Sequence, residues 1–167
     1  MDADALIKLT KCSVKEEVVR RVEVAIPQQV KVETVDEARA LGYPDAVVTA
    51  ENIRAGRLKV VDPDPGPEST QAELFPAGGD RALFEAFRGG HWDAVVSDDR
   101  KLLRLLRAFG VPVITPSALL VALTRSGALS RDRAKAALEA LSPLVSQEEY
   151  ASALLALEAL TIEAGDP

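Results

Sequence analysis

The chain has 167 residues, 47% of them apolar, with 26 acidic and 20 basic side chains, a net charge of −6 and a single cysteine. That length suits one compact domain with a substantial core and is short for two. The acidity argues against general adhesion to nucleic acid, and Cys12 alone makes neither an internal disulfide nor a cysteine-built zinc site. The longest apolar run, Ala118 to Leu123, is far below a membrane span, and Asp2, Asp4 and Lys8 do not suit a signal peptide. A reducing, cytoplasmic compartment and no membrane partner are therefore expected.

In chain order, Ala5, Leu6, Ile7 and Leu9 give a helix after an opening turn, and Cys12 to Val19 continues as a second short helix. Val22, Val24 and Ile26 alternate with other residues and predict a strand ending at Pro27. Val30 to Ala38 is acidic and begins a helix that stops at Gly42, with Glu33 near its start. Pro44 to Ala55 predicts a helix with Ala46, Val47, Ala50 and Ile53 on one side, and Arg57 to Val61 a strand. Asp62 to Gly79 is rich in Pro, Gly and Asp and reads as the most mobile loop. Asp80 to Phe87 restarts a helix. After the turn described next come a strand over Val111 to Thr115 and helices over Ser117 to Thr124, Ser130 to Leu141 and Ser146 to Leu160. The alternation is α/β over about residues 1–128, followed by a helical extension over 129–167, all in a single domain.

Residues 93 to 110 carry the densest chemistry. Ala94 to Val96 is a short buried strand, Ser97-Asp98-Asp99 a tight turn, and Leu102, Leu103, Leu105, Leu106 and Phe109 line a helix that Gly110 stops. In open parallel α/β sheets ligands bind outside the carboxyl ends of strands, which is where this turn falls. Asp and Ser before a helix are also ordinary caps, so the turn needs other acids around it to be a site. Asp2, Glu33 and Asp80 each stand at a helix or turn start and supply them. Carboxylates on separate elements suit magnesium or manganese, and two such ions would activate water for phosphodiester hydrolysis. On the following helix Arg100, Lys101, Arg104 and Arg107 lie within two turns. Arg100, Arg104 and Arg107 share a face that could take phosphates or could simply be solvated.

The segments Asp2-Ala3-Asp4-Ala5-Leu6-Ile7-Lys8-Leu9, Val30-Lys31-Val32-Glu33, Gly79-Asp80-Arg81-Ala82-Leu83 and Val95-Val96-Ser97-Asp98-Asp99-Arg100-Lys101, in that order, resemble a PIN domain over nearly the whole chain. The resemblance implies a three-layer α/β/α sandwich around a parallel sheet, with acids at one end binding magnesium or manganese for RNA cleavage. By position, Asp2, Glu33 and Asp80 match the first three acids of the family. Asp99 fits its Thr-x-Asp pattern, with Asp98 beside it and Ser97 at the hydroxyl position. Asp2, Asp80, Asp98 and Asp99 are the implied metal ligands, and Ser97, Arg100, Lys101, Arg104 and Arg107 the implied RNA contacts. One departure is plain: the family has an apolar strand before its first Asp, and here Met1 alone precedes Asp2. Either the natural start lies upstream, or another segment completes the sheet, or the fold tolerates a gap.

The expected activity is a metal-dependent endoribonuclease acting on single-stranded RNA, such as the toxin of a toxin–antitoxin pair, with an antitoxin or a second copy as protein partner. The competing reading is a binding module for RNA or protein without turnover. A receiver-type phosphoacceptor would need a separate acceptor Asp at a strand end and a downstream Lys, and no such pair stands out. Trp92 is expected to pack at a sheet edge, His91 to be no metal ligand and Cys12 to be a small buried hydrophobe.

Overall fold

The computed structural model describes residues 1–62 and 71–163. Helix α1 (Ala3–Lys11) starts where the Asp2 carboxylate accepts from the Ala5 N–H at 2.7 Å and buries Ala5, Leu6 and Leu9. Helix α2 (Lys15–Arg21) leads into strand β1 (Val24–Pro27), and a continuous helical stretch follows. That stretch is α3 (Gln28–Lys31), a π-helical segment Val32–Glu37 and α4 (Ala38–Ala40). Glu33 therefore sits inside a helix rather than at its start. The wider winding of a π segment is typical of functional positions.

Helix α5 (Pro44–Arg54) precedes strand β2 (Leu58–Val61). Its buried face is Ala46, Thr49 and Asn52, while Val47 and Val48 are exposed, a correction to the apolar face expected from the sequence. The inward positions are polar because they take polar partners from α2. The Lys15 ammonium donates to the Thr49 hydroxyl at 3.2 Å, and the Asn52 amide to the Glu16 carboxylate at 2.5 Å.

Of the expected loop Asp62 to Gly79, residues 63–70 lie outside the described residues. Downstream of them the chain is built into the fold. A 3-10 turn at Ala72–Leu74 delivers Phe75, 1% exposed, onto Phe84 with ring centroids 4.3 Å apart, and Phe109 lies 5.7 Å from it. Periodicity does not reveal a buried residue whose partners lie far along the chain.

Helix α6 (Gly79–Gly89), strand β3 (Val95–Val96), helix α7 (Arg100–Ala108), strand β4 (Val113–Ile114) and helices α8 (Pro116–Arg125), α9 (Arg131–Leu141) and α10 (Gln147–Glu163) complete the order. The fold is mixed α/β with two parallel strand pairs, β1 with β2 and β3 with β4. The pairs do not bond to each other directly. Met1 and Asp2 lie between them, the Met1 ammonium donating to Ala25 O at 2.9 Å and the Asp2 N–H to Val96 O at 3.0 Å.

Two apolar clusters hold these elements. The larger one joins Leu6, Leu9, Val18 and Ile26 to Leu120, Leu138, Leu141 and Leu157. The three last helices thus share one core with α1 and β1. The smaller cluster, with Phe75, Phe84, Val95, Leu102 and Leu106, packs α6 and α7 around β3.

Candidate functional site around the strand β3 to helix α7 turn

The turn is held rigidly by its own backbone. Ser97 is fully buried, and its N–H donates to Ile114 O at 3.1 Å, which extends the β3–β4 ladder to the edge of the turn. The Ser97 hydroxyl oxygen accepts from the Asp99 N–H at 3.1 Å, and the Ser97 side chain is near enough to the Asp2 carboxylate to pull its pKa down. One side chain therefore lies against both Asp2 and the turn. Asp99 caps α7 by accepting from the Lys101 and Leu102 N–H groups at 2.7 and 2.9 Å. The helix that follows buries Leu102, Leu103 and Leu106 and leaves Arg100, Lys101, Arg104 and Arg107 exposed, with Arg100 paired to Glu148 of α10 at 3.1 Å.

Asp98 turns the opposite way. Its side chain is 10% exposed, one oxygen lies 2.5 Å from the Lys8 ammonium, and the other is buried with no hydrogen-bond partner. Lys8 also holds Asp4 at 2.6 Å. Burial alone would lower the Lys8 pKa, but the hydrogen bonds and charges of Asp4 and Asp98 raise it, so it stays an ammonium. Asp2 lies close enough to Asp98 to feel its charge. Burial pushes the Asp2 carboxyl up from 3.8 to about 6 and Asp98 adds to the rise, against the opposing pull of Ser97 and Ala5.

Asp80 and Glu33 approach from the other side. Asp80 is in the first turn of α6, and its pKa is raised by burial and then by the charge of Asp99. The Glu33 carboxylate lies over Gly79. A methyl group there would sit 3.4 Å from both carboxylate oxygens, so the glycine leaves room for Glu33 at the start of α6, beside Asp80. Acids close to the positive end of a helix are favoured there.

The sequence-assigned acids thus fall into two linked groups. Asp2 and Asp98 form the inner one; Asp80 and Asp99, with Glu33 near, form the outer one. Neither the cavity between β1 and β3 nor the one between α7, α8 and α10 gathers them: the second reaches only Asp98. Among the described residues, no three His, Cys, Asp or Glu side chains are arranged to hold a metal ion. The donors are hard carboxylate oxygens, the kind that magnesium and manganese take, and one buried Asp98 oxygen has no hydrogen-bond partner.

Lys8 is the site residue that sequence reasoning missed. The Asp4–Lys8 spacing puts those two on one helix face. The Lys8–Asp98 pair, however, joins positions 90 residues apart and leaves no local signal. Outside the turn, Cys12 is buried as a small hydrophobe, His91 is exposed and Trp92 is half-buried. No family model, curated protein or solved structure matches this chain.

Proposed function

We propose that the chain is a metal-dependent endoribonuclease of PIN type, with magnesium or manganese at the β3–α7 turn and single-stranded RNA laid over the basic face of α7. One observation carries this reading. Four acids from three separate parts of the chain, Asp2 before α1, Asp80 in α6 and Asp98 with Asp99 in the β3–α7 turn, lie about the carboxyl end of a parallel strand, and one buried carboxylate oxygen there has no partner. In this reading the strand pairs are halves of one sheet, ordered β2, β1, Met1–Asp2, β3 and β4, inside a three-layer α/β/α sandwich. The hydrogen bonds from Met1 and Asp2 to both halves support it.

Bound metal would supply an activated water and charge for the leaving oxygen. The chain's own residues have distinct tasks. Asp2, Asp80, Asp98 and Asp99 would hold the ion, while Glu33 adds negative charge beside Asp80. Ser97 fixes Asp2 against the turn, and Arg100, Lys101, Arg104 and Arg107 would meet phosphates. Exposed Leu41, Tyr43, Val47 and Val48 on the α4–α5 side support a protein partner, either an antitoxin or a second copy. Among the described residues no helix is long and apolar enough to cross a membrane.

The test is manganese titration by electron paramagnetic resonance beside cleavage of a labelled single-stranded RNA. Saturable binding and cleavage, both lost in Asp98→Asn and Asp99→Asn with the fold retained, are expected. RNA binding without a saturable manganese site or cleavage would instead select a binding module. The Lys8–Asp98 pair favours that second reading, because it already neutralises the innermost acid.

A further inference from the structure

A cavity of about 600 Å³ lies between α7, α8 and α10. Helices α7 and α8 each leave the carboxyl end of one strand of the parallel pair β3 and β4, so both start at the same end of this cavity and run alongside it. Its two ends differ in charge. At the starting end, every acid of the lining is already engaged: Asp98 by Lys8 at 2.5 Å, Glu148 by Arg100 at 3.1 Å, and Glu149 by the Ser117 N–H at 3.2 Å. At the far end stand Arg107, in the last turn of α7, and Arg125, the last residue of α8. Among the described residues neither makes an ion pair. Helix carbonyls favour a cation at each helix end, but two guanidinium groups on one cavity repel each other until an anion joins them. Between the ends the wall is apolar, built from Leu103, Val121, Ala122 and Ala153.

We propose that this cavity binds a nucleoside monophosphate, with the phosphate at Arg107 and Arg125 and the base and sugar along the apolar wall. Charge, length and lining together select that class. A phosphate monoester carries roughly two negative charges and offers oxygens to both guanidinium forks, so it balances the two arginines as a single carboxylate does not. From Arg100 to Arg107 the α7 wall rises about 10 Å, which a nucleotide spans. A sugar phosphate is shorter and has no use for the apolar wall, and a lipid tail is far longer. At the starting end the Thr115 and Ser146 hydroxyls line the cavity and can accept from base amino or sugar hydroxyl groups. The volume falls within the range of about 300–1,000 Å³ in which small-molecule pockets lie. The proposal does not rest on the nuclease reading: it needs neither metal nor cleavage, and Arg125 lies on a helix which that reading does not use.

The test is calorimetric titration of the protein with AMP, adenosine and inorganic phosphate in turn, in EDTA so that no divalent metal takes part. AMP should bind saturably, and adenosine and phosphate should each bind about tenfold more weakly or worse. Arg125→Gln should weaken AMP by about tenfold and leave adenosine unchanged. Ala156→Leu adds bulk at an exposed position of the lining without touching the core, and should weaken AMP and adenosine alike. Absence of saturable AMP binding overturns the proposal. So does AMP binding that Arg125→Gln leaves unchanged, which would put the nucleotide on the open basic face of α7. Phosphate binding as tightly as AMP overturns it too, since the cavity would then be an anion site alone. A protein that binds AMP in EDTA yet cleaves no RNA with manganese would overturn the nuclease reading and support this one.

Discussion

Asp98 and Asp99 follow one another in the chain yet belong to different physical regimes. On the inner side, Asp98 is nearly buried and held by Lys8, with Asp2 close by and protonated up to about pH 6. On the outer side, Asp99 is exposed, spends one oxygen on the α7 cap and acts on Asp80 through its charge. A side chain in water loses little when its partner is removed, whereas a buried carboxylate loses its only compensation. Breaking a pair in the inner group should therefore cost much stability, and changing the outer group little.

The sharpest way to break this contrast is Lys8→Met, which leaves Asp98 charged and unpaired. It should cost about 3 kcal/mol or more, read as a lower denaturation midpoint with unchanged slope. A cost below about 1 kcal/mol would show that Asp98 is already solvated. If the turn holds metal, manganese should recover part of that loss, because the ion takes over the role of the ammonium.

Next in size is the pH response of Asp2. Its folded pKa of about 6 lies above the ordinary 3.8, so the folded state keeps a proton that the unfolded state has released between those values. Stability from this group is full below 3.8 and is lost as pH rises through about 6. Asp2→Asn should hence gain roughly 1–3 kcal/mol at pH 7, and the gain should vanish in acid. Urea unfolding of both proteins at several pH values measures it, and a pH-independent difference would contradict the burial of Asp2.

On the outer side, Asp99→Ala should cost about 1 kcal/mol through the lost cap, and Asp99→Asn almost nothing, since Asn caps as well. Both should abolish any cleavage. Smallest of all is Arg104→Ala, expected to stay within about 0.5 kcal/mol in stability while reducing the salt slope of RNA binding by about one.

The turn itself was legible because a β-branched strand, two acids and a leucine-rich helix follow one another within eighteen residues, and local order needs only local sequence. The choice between its two acids was not legible. Asp99 fits the family motif and one of its oxygens caps α7, while Asp98 has a buried oxygen without a hydrogen-bond partner. What separates them is Lys8, brought over by α1. The inward face of α5 was misread for a related reason: Thr49 and Asn52 are buried by virtue of Lys15 and Glu16, and hydrophobicity cannot register a polar residue satisfied by a distant partner.

The shared core of the first and last helices bears on how the chain is made. Leu6 and Leu9 emerge from a ribosome early, yet the cluster that buries them includes Leu138, Leu141 and Leu157. At about 5–20 residues per second, their neighbours arrive roughly ten seconds later. The nascent chain must carry the apolar face of α1 unpartnered until α9 and α10 have been made, so its yield in a cell should depend on chaperone capacity more than its final stability suggests.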